Sequence, residues 1–348
     1  MVKKAYPQDC IVGGPGQRPI ILVTHDESTF SSNDGRRQAW IGPARHFLRP
    51  KGRGQGIMVS DFLLPWSRLS TESLSEEERT NSDTQLPLYA TKYLEYGKTE
   101  GYWDGKDLVA HVLEVALPML RKIYPGYQFL FLFDNSSNHG TYADNALRVQ
   151  SMSLKSGGLS QKLLRRGYMN GDPAQVQEMT YQAIDSHTGT ETTLAKGMKV
   201  VLQERGLWKD GLSMHCPKNL CCCAAEILSR EEDFLAQKGM LQEEIERSGH
   251  LILFLPKFHC ELNWIEYYWG EGKRYTRDNC RYTIDDLRSA IPQALATVKN
   301  STIHGHYHRC MRRIQAYRAG LGYGSPEFGK WTENYKSHRR IYFKTGDM

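Results

Sequence analysis

No apolar run in this 348-residue chain approaches the roughly 18–20 residues that a membrane helix needs. Phe129–Phe133 and Leu251–Leu255 are among the longest, so a helical membrane span is excluded and no membrane partner is expected. Met1 to Pro19 carries two lysines but no apolar core of signal-peptide length, so an intracellular, reducing environment is expected. Internal repeats and heptads are missing too. The eight cysteines stand at 10, 216, 221, 222, 223, 260, 280 and 310, a scatter that suits free thiols better than a disulfide framework. Without a paired CxxC, a structural zinc in the Cys216/Cys221 region is the lesser reading of that cluster.

What is present is an ordinary globular composition. An apolar fraction of 40% supports a real core, in one large domain or two smaller ones. The formal net charge of +6 permits a polyanionic partner without requiring one.

Ile20–Thr24 is a short β-branched run ending at His25 and Asp26, the pattern of a buried strand that delivers an acid at its C-terminal end. A hairpin is expected next, through the turn residues Asn33, Asp34 and Gly35 to a second apolar run at Ala39–Ile41. Gly56–Leu64 reads as a third strand. Arg68–Thr84, rich in Ser, Thr and Glu, reads as an exposed loop or frayed helical insertion. The spacing of Val109, Val112, Leu113, Ala116 and Leu117 behind Asp107 predicts a helix over about 107–122. Phe129–Phe133 is a continuous apolar strand that stops at Asp134, so a buried strand ends on an aspartate a second time. A short helix is expected at Tyr142–Val149, then a glycine-punctuated polar insertion over 151–220. Cys222–Arg247 has helix-forming, amphipathic composition. Leu251–Leu255 is one more strand. Helices are predicted from about Asn263 and over Asp285–Val298, and the C-terminus from His304 onward is basic.

Two strand-end aspartates and a helical glutamate are the raw material for polynucleotidyl transfer. Each divalent ion wants hard oxygen ligands, and a pair of ions roughly 4 Å apart activates the attacking oxygen and stabilises the leaving one. Alone, such aspartates also serve to cap helices or bind other ligands. The surrounding residues add a resemblance. Phe131–His139, F-L-F-D-N-S-S-N-H, resembles the second-aspartate motif of mariner-superfamily transposases, in which a strand runs into Asp-Asn with a His a few residues on. Leu255–Trp269, L-P-K-F-H-C-E-L-N-W-I-E-Y-Y-W, resembles their third motif more closely, and Thr24–Phe30, T-H-D-E-S-T-F, resembles the first. The three occur in order across about 240 residues.

The resemblance implies an RNase H-like α/β fold: a mixed five-stranded sheet with helices on both faces and a large insertion. Its parts would be residues 1–150 and 221–300 as the two halves of the catalytic core, 151–220 as the insertion and 301–348 as a basic extension. It also implies Asp26, Asp134 and Glu266 as catalytic metal ligands, two Mg2+ or Mn2+ ions, and DNA hydrolysis followed by attack of the freed 3′-hydroxyl on target DNA. Double-stranded DNA, both element ends and target, is the implied partner, with a second copy of the chain as a homodimer, acting in the nucleus. Alternatives are a nuclease of the same fold that cuts without joining, and a domesticated DNA-binding remnant. Two departures stand out. Asp134 and Glu266 are 132 positions apart, against a few tens in the mariner pattern, which requires the insertion. The first motif also begins too near Met1 to leave room before it for a helix-turn-helix domain, so a catalytic region alone is expected.

Around the triad, Asn135 and His139 are candidates for supporting the site or touching substrate, with loop hydrogen bonding as the plain alternative. Glu261 and Asn263 are placed in the same supporting class, Glu261 as a brace for the following helix. Glu27 should point to the opposite face of a continuing strand from Asp26. Arg36, Arg37, Arg49, Lys51 and Arg53 form a basic stretch suited to phosphates, and Lys273, Arg274 and Arg277 continue from the Glu266 helix. Trp40, Trp264, Tyr267, Tyr268 and Trp269 read as core rather than base-stacking residues.

Overall fold

The structure is a computed structural model that describes residues 10–13, 18–35, 50–80, 85–96, 101–158, 161–184, 189–216 and 223–333. Arg36, Arg37, Trp40, Arg49 and the strand expected at Ala39–Ile41 lie outside those residues, as does Cys221. The chain forms two compact units, the first from residues 1–139 with 244–348, the second Gly140–Glu243.

The first unit is built on a mixed sheet. Its strands are β1 (Ile11–Val12), β2 (Ile20–Ser31), β3 (Gly56–Leu63), β4 (Lys92–Glu95), β5 (Gln128–Phe133) and, late in the chain, β10 (Leu251–Phe254). The order is β10-β5-β2-β3-β4, with β1 on β2. β2, β3 and β4 are antiparallel neighbours, whereas β5 runs parallel to β2 and β10 parallel to β5. That order and polarity is the RNase H-like arrangement, with β1 as a sixth strand beyond the five expected. β2 is much longer than its apolar run. It continues through His25, Asp26 and Glu27 to Ser31 because every residue from Thr24 to Ser31 pairs with β3.

Between β3 and β5 lie α1 (Glu76–Thr80), α2 (Gly105–His111) and α3 (Leu117–Ile123). A capping box starts α2, with Asp104 accepting from the backbone of Asp107 and Asp107 from that of Asp104. A π-helical turn, Val112–Ala116, joins α2 to α3. Pro118 explains it: lacking an N–H, proline cannot continue the regular ladder, and the preceding Leu117 N–H reaches back five residues to Val112. Arg68–Thr84 is not a plain exposed loop, since Arg68, Leu69 and Thr71 are buried.

After β10 come α8 (Trp264–Asn279), α9 (Ile284–Thr297), α10 (Asn300–Arg318) and α11 (Pro326–Glu333). Trp264, Ile265, Tyr268 and Trp269 pack with Phe30, Ile57, Val59 and Leu63 of the sheet and with Leu287, Ile291 and Leu295 of α9. Each such fully buried side chain contributes roughly 1.5–3 kcal/mol. Ile303, Tyr307 and Cys310 join this core, so the expected basic extension begins as a packed helix. The other sheet face carries Phe62 and Phe131, and the Phe62 ring meets both Phe131 and His111 of α2.

The second unit contains β6 (Gly167–Met169) and β7 (Asp172–Gln177) as one antiparallel pair, β8 (Thr180–Ile184) and β9 (Glu191–Ala195) as another. Its helices are α4 (Met198–Glu204), α5 (Ala224–Ser229), α6 (Glu232–Leu235) and the start of α7 (Met240–Arg247). It has its own core, including Leu147, Val149, Met198, Leu202, Ala224, Leu228 and Phe234. Inside it Arg205 and Asp233 form a two-pronged ion pair at 2.9 and 2.7 Å, both side chains 1% exposed. The expected insertion 151–220 falls inside this unit, which extends further both ways because residues before 151 and after 220 pack into its core. Tyr142–Val149 is not helical beyond a 3-10 turn at Val149–Ser151, and Cys222–Arg247 is broken into short helices rather than one.

Candidate active site

The two aspartates come level by register. Parallel pairing of β2 with β5 ends at Thr24 and Leu132, and both Asp26 and Asp134 lie two residues further on. They therefore share a sheet face. Asp26 is not at the end of its strand, as expected, but where β5 stops and β3 continues as its only partner, opposite Asp61. That face is the one covered by α8, and Glu266 stands in the first turn of α8.

Asn263 precedes α8 and ties it to the sheet. Its side chain does not cap the helix. Instead Thr24 Oγ1 donates to Asn263 Oδ1 at 2.5 Å, and Asn263 Nδ2 donates to the His25 carbonyl at 3.4 Å. One turn on, Trp269 Nε1 donates to Asp26 Oδ2 at 3.1 Å, while Tyr268 Oη donates to Asp61 Oδ2 at 3.1 Å. Tyr268 and Trp269 are thus core, as expected, and also hold two sheet carboxylates.

The electrostatics are those of crowded negative charge. Asp26 is held well above the usual carboxylate range, first by burial, then by Glu266, Glu27 and Asp134. Glu266 is raised by burial and by Asp134, with Lys273 opposing. Asp134, half exposed, goes the other way. Burial would raise it, but hydrogen bonds from His139 and Ser136 overcome that and lower it. His139 correspondingly rises to about 10, as bonds to Asp134 and Glu27 outweigh the opposing effect of burial.

A cavity of about 430 Å3 opens beside these acids, lined by Asp134, Asn135, Asn263 and Glu266 and by the turn Leu255–Cys260. Phe258 in that turn is 99% exposed with φ +64°. Asp26, 9% exposed, does not line the cavity. The three acids are not among the groups whose donor atoms all lie within 4.8 Å of one another. Among the described residues, the group of three whose donor atoms all lie within 4.8 Å of one another is His25, Glu27 and His139.

The remaining expected residues are placed variously. Asn135 is exposed at the cavity. His139 Nδ1 donates to Asp134 Oδ1 at 2.5 Å and to its carbonyl at 2.9 Å. Glu261 faces α10 rather than the acids, accepting from Tyr317 Oη at 2.6 Å and His259 Nδ1 at 2.7 Å. Lys273, two turns after Glu266, is drawn down by burial while Glu266 and Asp26 oppose, which puts it in the acids' field. Arg277 is bound to Asp34 at 3.0 Å and Arg274 pairs with Glu271. Lys51 and Arg53 are exposed. Cys216 is partly buried against the second unit's core.

Sequence reasoning missed Asp61 and Arg68. Asp61 is fully buried and meets Arg68 Nε at 3.3 Å; Arg68 Nη2 also donates to Thr91 Oγ1 at 2.7 Å. The signal was an aspartate inside the apolar run of β3, since a buried charge requires a partner. Glu27 does face away from Asp26, where it accepts from Trp103 Nε1 at 2.8 Å and approaches His139.

No family model and no curated protein matches the sequence. Among solved structures, the chain is similar to the Mos1 mariner paired end complex with Mn, at 10% identity over 87% of this chain and 56% of that one, with a TM-score of 0.44. It is similar to the Mos1 transposase paired-end complex with left transposon end at 9% identity, over 86% and 55%, with a TM-score of 0.42. For a pre-cleavage Mos1 transpososome the figures are 9%, 88%, 57% and 0.42. The chain spans little more than half the length of those structures' chains.

Proposed function

We propose that this chain is the catalytic region of a mariner-type DDE transposase, cutting a DNA phosphodiester and joining the freed end to a target. The observation that carries the reading is the level register of Asp26 and Asp134 on the face covered by α8, with Glu266 in that helix's first turn. Charges that raise one another's affinity for a proton are a destabilised set, which a divalent cation would relieve.

The donor set fits Mg2+ or Mn2+: carboxylate oxygens only, with Asp134 and Glu266 at the wall of an open cavity. Asp26, Asp134 and Glu266 would hold the ions. A pair of such ions would supply charge stabilisation and a reactive nucleophile. The chain's own residues do the positioning. Trp269 fixes Asp26, His139 fixes Asp134, and Asn263 fixes the start of α8 against β2. Asn135 and the exposed Phe258 stand where the cavity would meet a nucleic acid strand, and Lys51 and Arg53 would meet phosphates. The same reading makes the substrate double-stranded DNA, the active form a homodimer and the place of action the nucleus.

The test is Asp134→Asn with a nicked-plasmid assay in Mn2+ and a parallel DNA-binding assay. Nicking should disappear while binding stays near normal; retained nicking removes Asp134 from the site. Separate measurement of strand joining distinguishes a transposase from an endonuclease of the same fold.

A further inference from the structure

On the face of β2 opposite Asp26, a chain of hydrogen bonds fixes the tautomer of a buried histidine. His111 Nε2 lies 2.5 Å from the Ala90 carbonyl, which can only accept, so Nε2 carries the proton. His111 Nδ1 then accepts from Ser60 Oγ at 2.9 Å. Having spent its hydrogen, Ser60 Oγ accepts from His25 Nε2 at 2.7 Å. His25 Nδ1 is left with a bare lone pair, buried and without a hydrogen-bond partner. His139 faces it from the other side and, in the metal-free protein, carries a proton on each ring nitrogen under the pull of Asp134 and Glu27. Its Nδ1 hydrogen is held by Asp134, and its Nε2 is buried with no hydrogen-bond partner, 3.5 Å from Glu27 Oε2. Glu27 Oε1 is engaged by Trp103.

Donor atoms of His25, His139 and Glu27 all lie within 4.8 Å of one another, so an ion that displaced the Nε2 proton of His139 would meet two imidazole nitrogens and one carboxylate. We propose that His25 Nδ1, His139 Nε2 and the Glu27 carboxylate bind one divalent transition-metal ion of the zinc class, at a site separate from the three acids. Ligand bonds of about 2.0–2.2 Å would require the three side chains to draw in by roughly an ångström. The nitrogen-rich set disfavours Mg2+, which takes oxygen ligands. The outer contacts are those of a metal site: each ligating histidine donates its other N–H, His139 to a carboxylate and His25 to a hydroxyl. The surrounding shell is apolar, with the Phe62 and Phe133 rings 4.6 and 5.3 Å from that of His25. Both histidines are almost completely excluded from solvent, so the ion would be structural. It would pin the segment that carries Asp134 to the strand that carries Asp26.

The test uses the whole chain, with Asp26→Asn/Glu266→Gln silencing the acid cluster. The protein is stripped with chelator, loaded with zinc, desalted, and read by elemental analysis and zinc-edge X-ray absorption. One retained zinc with two-imidazole scattering is expected, and adding His25→Phe or Glu27→Gln should abolish it. Glu27→Gln keeps the size of a side chain 18% exposed, so circular dichroism matching the parent shows that lost zinc is not lost fold. No retained zinc in the silenced protein means that a proton on His139 fills the space and overturns the proposal. Sulfur scattering, or zinc indifferent to Glu27→Gln, places the ion elsewhere and also overturns it. None of these readouts depends on DNA cleavage.

Discussion

Arg68→Met tests how the sheet beneath the acids is held together. Asp61 has no solvent exposure and three donors: the Phe62 N–H at 2.9 Å, Tyr268 Oη at 3.1 Å and Arg68 Nε at 3.3 Å. Arg68, 9% exposed, also donates to Thr91 and lies 4.2 Å above the Tyr89 ring. Methionine keeps much of the volume but leaves a buried carboxylate with no counter-charge. Breaking such a pair costs about 3–5 kcal/mol. Because two of the three donors remain, about 3 kcal/mol is expected, equivalent to a fall in Tm of roughly 6–12 °C for a unit of this size. The assay is thermal and urea unfolding followed by tryptophan fluorescence, with Arg274→Ala as control. The Arg274–Glu271 pair is exposed and should cost no more than about 1 kcal/mol. Adding Asp61→Asn to Arg68→Met removes the orphaned charge and should recover more than half of the loss. If Arg68→Met costs no more than the control, or the double variant recovers nothing, Asp61 is not held as a buried ion.

Other consequences follow from the same residues. Asp26 and Glu266 have folded-state pKa values raised above their unfolded ones. The stability they contribute is therefore fully present below the unfolded carboxylate range and lost as pH rises through the folded values. Asp26→Asn should accordingly stabilise the metal-free protein at neutral pH and flatten its pH dependence, and Mg2+ should stabilise the parent more than the variant; calorimetry in EDTA and in Mg2+ reads both. Lys51→Glu/Arg53→Glu should weaken DNA binding without regard to sequence, and the slope of log K against log salt should shrink by about 0.9 for each lost phosphate contact. An unchanged slope would remove that stretch from the DNA path.

Much of the fold was legible because its signals are local. Phe129–Phe133 and Leu251–Leu255 are apolar runs with strong punctuation, and they appear as β5 and β10 almost residue for residue. Helix α9 begins one residue before its expected start, at Ile284. What was not legible depends on cross-chain pairing. Polar His25 to Ser31 looked like the end of a strand, yet pairing with β3 carries β2 through it. Arg68 looked exposed because its partner, Asp61, cannot be named without the register of β3 under α8. The motif residues were visible by type and spacing, but not the division of labour around them. Glu261 turned to Tyr317 on α10, Arg277 was taken by Asp34, and His25 met Glu27 and His139 on the far face.

The account rests on the acids of β2, β5 and α8 being one metal centre. Anomalous diffraction at the manganese edge, from crystals of the chain soaked in Mn2+, addresses that directly. Peaks bound by Asp26, Asp134 and Glu266, lost in Asp134→Asn crystals, are expected. Full Mn2+ occupancy elsewhere with nothing between these three side chains would contradict the account.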